Sequence, residues 1–187
     1  MNDISLILKA LEFAAERHKS QFRKGADKAP FINHPIQVAD LLANRAGEND
    51  PVLISAAILH DVIEDTVNSV EEKQELINRI REIFGEEILS VTLEVTDDKT
   101  LEKKDRNRQQ VENVSSLSDK AKKLRVADKI MNLHDISAYP PEDWSLQRIL
   151  EYHDWAEKVV AGARGVNPVL DKLFDETLKA GRTKYTQ

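Results

Sequence analysis

Apolar positions recur along this chain at intervals of three and four residues, the period of a helix buried on one side. Ile4, Ile7, Leu8, Leu11, Phe13, Ala14 and Ala15 define a first amphipathic helix. A polar link, KSQFRKGADKAP, follows. Pro35 then sits at a helix start, with Ile36, Ala39, Leu41 and Leu42 on the apolar side of a second helix that AGENDP ends. A third helix is predicted from about Val52 to Asp65. Ser69 with Glu72 has the form of a capping box, ahead of a helix that carries Leu76, Ile77, Ile80, Ile83 and Phe84 and stops at Gly85. EEILSVTLEVTDD is helical by period, and LEKKDRNRQQVENV is a strongly charged helix. Ser118 caps DKAKKLRVADKIMNLHDIS, which Pro140 and Pro141 terminate. A helix from Trp144 to about Arg164 and a last one opened by Asn167-Pro168 complete an all-α fold, expected as a single domain over residues 1–187.

Composition supports this pattern. The chain has 187 residues, 41% hydrophobic and 32% charged, enough for one sizeable core. Only 6 Gly and 6 Pro punctuate it, which favours long helices over many short strands. There is no cysteine, so thiolate metal sites and cysteine nucleophiles are excluded. The first residues, MNDISLILKALEFAAERHKS, read as an amphipathic helix and not as a signal peptide. No apolar stretch approaches the roughly 20 residues that span a bilayer, so a cytoplasmic location is the expectation, with no membrane partner. The net charge of −6 argues against nucleic-acid binding, which needs a concentrated cationic surface, but not against a small anionic ligand.

Against this background, AAILHDVIEDT at residues 56–66 is anomalous. It begins as helix core and then carries four ionisable groups in two turns. At about 100° per residue, Ile58, Leu59, Val62 and Ile63 share one side, and His60, Asp61, Glu64 and Asp65 the other. A second anomaly lies in RVADKIMNLHDI. There Asp128, Asn132 and Asp135 recur at i, i+4 and i+7, on a stripe with Leu124 and beside Met131, an apolar setting. A buried carboxylate costs several kcal/mol unless a cation compensates it, so Asp128 needs either a core Lys or Arg or a metal. His34, just before Pro35, stands where an imidazole can cap the helix or project beyond its end. Together His34, His60, Asp61 and Asp128 offer two imidazoles and two carboxylates. That donor set suits a divalent ion such as Mn²⁺, Fe²⁺ or Zn²⁺.

FRKGADKAPFINHPIQVADLL, AAILHDVIEDT and LRVADKIMNL resemble, in this order, the His…His-Asp…Asp pattern of HD-domain phosphohydrolases. Among these the chain is most similar to the hydrolase domain of the RelA/SpoT alarmone enzymes, and within that group to the stand-alone small alarmone hydrolases. The likeness extends through VTDDKTLEKKDRNRQQVE and the Trp144–Trp155 segment.

The resemblance implies a helical HD fold and a metal, usually Mn²⁺, on His34, His60, Asp61 and Asp128. It implies removal of pyrophosphate from the ribose 3′ position of ppGpp or pppGpp, with Glu64 and Asp65 handling the attacking water and the leaving group. It places Arg23, Lys24 and Asn132 at the nucleotide, with Arg148 and Tyr152 near it and Lys99 as a further substrate-binding candidate. Asp135 departs from the long bifunctional enzymes, which often carry a small hydroxyl residue there, so their base contacts do not carry over. Two alternatives stay open: the same chemistry on adenine alarmones or on the ribose phosphate of NADPH, and a non-catalytic nucleotide-sensing module.

Overall fold

The computed structural model describes residues 2–25 and 28–186; Ala26 and Asp27 of the FRKGADKAP stretch lie outside them, as do Met1 and Gln187. Among the described residues there are helices and two isolated β-bridges, Phe22 with Pro30 and Gly25 with Pro141, but no strand. In chain order the helices are α1 (Asp3–Arg17), α2 (Asn33–Asp40), α3 (Pro51–Leu59), α4 (Val62–Asp65), α5 (Val70–Phe84), α6 (Glu86–Glu94), α7 (Lys103–Asn113), α8 (Asp119–Ala138), α9 (Leu146–Ala161) and α10 (Pro168–Thr186). The all-α expectation holds.

Local chemistry explains the boundaries. Asn2, Asp50, Ser69, Ser118, Ser145 and Asn167 each accept a backbone N–H of the turn that follows, satisfying donors that have no partner within the helix. The capping box at α5 is offset: the Ser69 hydroxyl accepts from the Glu72 amide, but the Glu72 carboxylate reaches back to the Asn68 amide. Gly85, at φ 85°, turns α5 into α6 in a conformation that L side chains rarely adopt. α2 begins at Asn33, two residues before Pro35, and runs on as a π-helical turn, Leu41–Arg45.

α3 is the axis of the fold. Every residue from Leu53 to Leu59 is buried, so this helix is covered all round, by α1, α2 and α6, with α8 at its far side. α8 is the second buried element, packed by α2, α6, α9 and α10. By contrast α7 buries no residue, as its charged sequence implied.

The continuous third helix does not form. α3 stops at Leu59, His60 and Asp61 make a turn, and the single turn of α4 resumes at Val62. The period carries straight through this point, so the break is invisible in the pattern. Its effect is to tilt both ionisable residues toward α2 and α8. Other boundaries shift by a few residues: the ninth helix starts at Leu146 and ends at Ala161, and Met131 is half-buried.

One contact tests this packing. A Cβ built at Gly181 of α10 would lie 2.5 Å from His153 Nε2 and 2.9 Å from Ser137 Oγ, on buried or half-buried neighbours from α9 and α8. Gly181→Ala is therefore expected to destabilise the protein by about 1–3 kcal/mol despite its gain in helix propensity, measured by urea unfolding. A stabilised variant would mean that α10 does not pack this tightly.

Candidate metal centre and active site

The break after α3 gives the site its geometry. With α3 ended, the Ala57 carbonyl has no helical donor, and His60 Nδ1 bonds to it at 2.7 Å. That contact places the ring proton on Nδ1 and turns Nε2 toward the interior, the arrangement commonly found around metal-ligating imidazoles. His34, on the first turn of α2, is 2% exposed and brings its own Nε2 to the same place. Asp128 arrives from the middle of α8.

Four distances define the cluster. His34 Nε2 lies 3.1 Å from Asp128 Oδ1 and 3.9 Å from Asp61 Oδ2. His60 Nε2 lies 3.2 Å from Asp61 Oδ2 and 3.8 Å from Asp128 Oδ1. Metal–ligand bonds of roughly 2.0–2.2 Å put two ligands of one ion about 2.9 to 4.3 Å apart, depending on their angle. All four separations fall in that window. His60 Nε2 is also buried without a hydrogen-bond partner, an orphan that a cation would satisfy. The residues fit a divalent ion. His34, His60 and Asp128 each offer an atom within 4.8 Å of the others, and Asp61 joins through both histidines.

The two oxygens of Asp128 are used separately. Oδ1 faces the histidines and accepts from Asn132 Nδ2 at 2.6 Å, while Oδ2 pairs with Lys129 Nζ at 2.9 Å. Lys129 is itself 3% exposed and lies 4.5 Å from the Trp155 ring centroid. Asp128 therefore has a core lysine and also belongs to a group of side chains able to hold a metal. Burial alone would push its carboxyl up, but Lys129, His34 and His60 hold it well below the usual carboxylate range. For His60, burial favours the neutral ring. The Asp61 and Asp128 carboxylates outweigh it and raise the pKa to about 9.

Around this centre opens a cavity of about 930 Å³. Glu64 and Asp65 line it, as do Arg23, Lys24, Lys99, Asn132 and Tyr152. Burial, then the Asp97 carboxylate, push Glu64 up to about 7, against the opposing pull of the Asp97 amide 3.0 Å from its Oε2. Lys99 pairs with Asp65 and lies 3.9 Å from Glu64. Arg23 donates to Asn132 Oδ1 at 3.0 Å and to Asp135 Oδ2 at 2.8 Å, below a cation–π contact with Phe31. Tyr152 is half-buried between Trp144 and Trp155, and burial pushes its phenol up, so it stays neutral. Arg148 is the exception. It stacks on Trp144 at 4.4 Å and is not part of the cavity wall, though Trp144 is.

Several residues of the site were not singled out on sequence. Gln21 donates to the Asp65 carbonyl at 2.6 Å, and its Oε1 takes the Nδ1 proton of buried His18 at 2.6 Å. Arg17 holds Thr66 from the same side. Lys129, Asp97, Gln110 and Arg125 also line the cavity. For Lys129 the ADK run was a usable signal; the others show no spacing that marks them.

A helical core that buries two histidines and Asp128 around one point, with half-buried Asp61 beside them, defines the class, and comparison agrees: the HD-domain profile matches residues 10–151, and the chain belongs to the HD-domain family. Within it, the chain is 45% identical over 174 residues to the guanosine-3′,5′-bis(diphosphate) 3′-pyrophosphohydrolase MESH1 of Xenopus tropicalis, covering 93% of each chain. The MESH1 of Homo sapiens is 40% identical over 178 residues, 95% of this chain and 96% of that one. Among solved structures, a metazoan ortholog of SpoT, described as hydrolysing ppGpp and acting in starvation responses, superposes with a TM-score of 0.87 at 37% identity and covers 94% of each chain.

The raised value of His60 sets a proton linkage. A protonated ring cannot ligate, and below about pH 9 the metal-free protein carries that proton. Metal uptake at pH 7 is therefore expected to expel about one proton per site, and affinity to rise with pH toward that value. Calorimetry in buffers of different ionisation enthalpy measures the release. In the metal-free protein the same shift stabilises the fold below the unfolded value of 6.5 and is lost as pH rises through about 9. Metal uptake without proton release would contradict His60 as a ligand.

Proposed function

We propose that this chain is a metal-dependent guanosine-3′,5′-bis(diphosphate) 3′-pyrophosphohydrolase that converts ppGpp or pppGpp to GDP or GTP and pyrophosphate. The observation that carries the proposal is the pairing of the buried His34–His60–Asp128 group and adjoining Asp61 with Glu64 and Asp65 on the next turn of chain, in a cavity also lined by cations. Relatives named for this activity, similar over more than nine-tenths of the chain, support it. The full chain acts as one hydrolase unit in the cytoplasm, without nucleic-acid or membrane partners. Among the described residues no helix is long and apolar enough to cross a membrane.

His34, His60, Asp61 and Asp128 hold the cation. A donor set of imidazole and carboxylate without thiolate suits Mn²⁺. A divalent ion there supplies Lewis-acid polarisation of a phosphoryl oxygen and lowers the pKa of water. The remaining work belongs to the chain. Hydrolysis forms a bond from water oxygen to phosphorus, breaks the bond from phosphorus to the ribose 3′ oxygen, and returns a proton to that oxygen. Two carboxyls in different settings divide the proton traffic. Glu64, half-buried and raised to about 7, carries the proton that the leaving oxygen needs. Asp65, held by Lys99 and by Gln21 at its carbonyl, receives the proton of the water.

Substrate charge is met by the walls. Arg23, Lys24 and Lys99 neutralise the pyrophosphate groups, and guanidinium grips phosphate in a bidentate manner that ammonium cannot. Asn132 links the two halves of the site, donating to the ligand Asp128 and accepting from Arg23. Tyr152 closes the apolar side of the cavity. Arg148 acts through Trp144, whose ring it backs.

With Mn²⁺ bound, the protein is expected to release GDP and pyrophosphate from ppGpp. Glu64→Gln keeps the shape of the site but removes the titratable proton, so kcat should fall by about 10²-fold or more with metal content unchanged. Turnover by ion-exchange chromatography and metal by elemental analysis are the two readouts. Absence of ppGpp turnover with Mn²⁺, Fe²⁺, Co²⁺ and Zn²⁺ alike would overturn the assignment. Faster turnover of an adenine alarmone or of NADPH would redirect it.

A further inference from the structure

Between α6 and α7 the chain crosses the acidic end of the cavity in a loop, residues 95–102. It is pinned from two helices. Arg125 of α8, 9% exposed, donates Nη2 to the Val95 carbonyl at 2.8 Å and stands 3.7 Å from Asp97 Oδ1. Gln110 of α7 donates Nε2 to Asp97 Oδ2 at 2.5 Å. Held by both its oxygens, Asp97 turns its backbone amide to Glu64 Oε2 at 3.0 Å. Lys99 of the same loop pairs with Asp65.

The consequence for Glu64 is chemical. An amide can only donate, so Oε2 serves as its acceptor, and because a carbonyl oxygen accepts better than a hydroxyl oxygen the contact favours a carboxyl proton on Oε1. Oε1 is 3.9 Å from Lys99 Nζ, too far for a hydrogen bond. We infer that Asp97 is a positioning residue for the hydrolysis: pinned by Gln110 and Arg125, it presents its amide to Oε2 of Glu64 and leaves Oε1 as the oxygen that exchanges a proton with substrate. The inference rests on Glu64 being the carboxyl that serves the leaving group. A loop anchor of no catalytic consequence would need neither the contact to Glu64 nor two separate partners for one carboxylate.

Gln110 supplies the conservative test. Its Oε1 is buried without a partner. If Asp97 becomes Asn, Gln110 can rotate its amide and accept from the new Nδ2, so the loop keeps one anchor. Asp97→Ala leaves it none from this side chain. In the Mn²⁺-loaded full chain, Asp97→Ala should lower kcat for ppGpp at least about tenfold, with KM within about threefold and metal content as in the wild type. Asp97→Asn should recover kcat to within about threefold of wild type. The inference is overturned by Asp97→Ala with wild-type kcat, or by an Asp97→Asn as impaired as the Ala variant. Where Asp97→Ala does not fold, Gln110→Leu is measured instead, with the same split of kcat from KM expected and its absence equally fatal.

A second readout does not depend on turnover. Hydrogen exchange at the Asp97 amide should be accelerated in Glu64→Ala, and an unchanged rate overturns the inference whatever the substrate. No ppGpp turnover by wild type, together with Glu64-dependent protection of that amide, would instead sink the substrate assignment and leave the contact standing.

Discussion

Two imidazoles, each within 4 Å of the same two carboxylates in a helical core, oppose the hydrophobic effect that builds everything around them. Taking such groups out of water costs several kcal/mol each unless charge and hydrogen bonds compensate. The surrounding structure is arranged for that compensation. Lys129 neutralises one oxygen of Asp128, Asn132 donates to the other, and the Ala57 carbonyl, left free where α3 ends, fixes His60. The orphaned His60 Nε2 is what remains for a cation to satisfy. Under the proposed function, stability and chemistry would meet at one point, because the cation that balances these charges is the one the phosphoryl chemistry requires.

From this centre the cavity reads outward in layers of charge. Acidic groups lie at the floor and along one wall, where Glu64 and Asp65 follow the cluster in the chain. Cations line the same cavity, and two of them are paired in the resting structure. Arg23 is held by Asp135 and Asn132, and Lys99 by Asp65. In the proposed reaction, an incoming anion would exchange these partners for its own phosphates and free the acidic groups that the cations now cover. Such an exchange would couple recognition to the readiness of Asp65 and let a chain of net charge −6 receive an anionic nucleotide.

The helical fold and the heart of the site were legible in sequence because they rest on spacing. Three- and four-residue periods mark the helices, caps such as Ser118 and Asn167 mark their starts, and the HP, HD-x-x-ED and ADK-x-x-N segments mark the cluster. Three features were not legible, each for a physical reason. The break at His60–Asp61 falls within an unbroken apolar period, and it is tertiary packing that stops the helix there. Asp97 acts through a backbone amide, which no side-chain pattern records. Arg148 lies one turn from Tyr152 on α9, yet Trp144 comes between it and the cavity wall, so sharing a helix face did not decide what it touches.

The proposed chemistry requires one divalent ion at one place. Anomalous diffraction at the manganese edge, from crystals of the Mn²⁺-loaded protein, locates it directly. A single peak about 2.0–2.2 Å from His34 Nε2, His60 Nε2, Asp61 Oδ2 and Asp128 Oδ1 is the expected result. A peak that leaves out His34 or Asp128, or none between α2, α3 and α8, would contradict it.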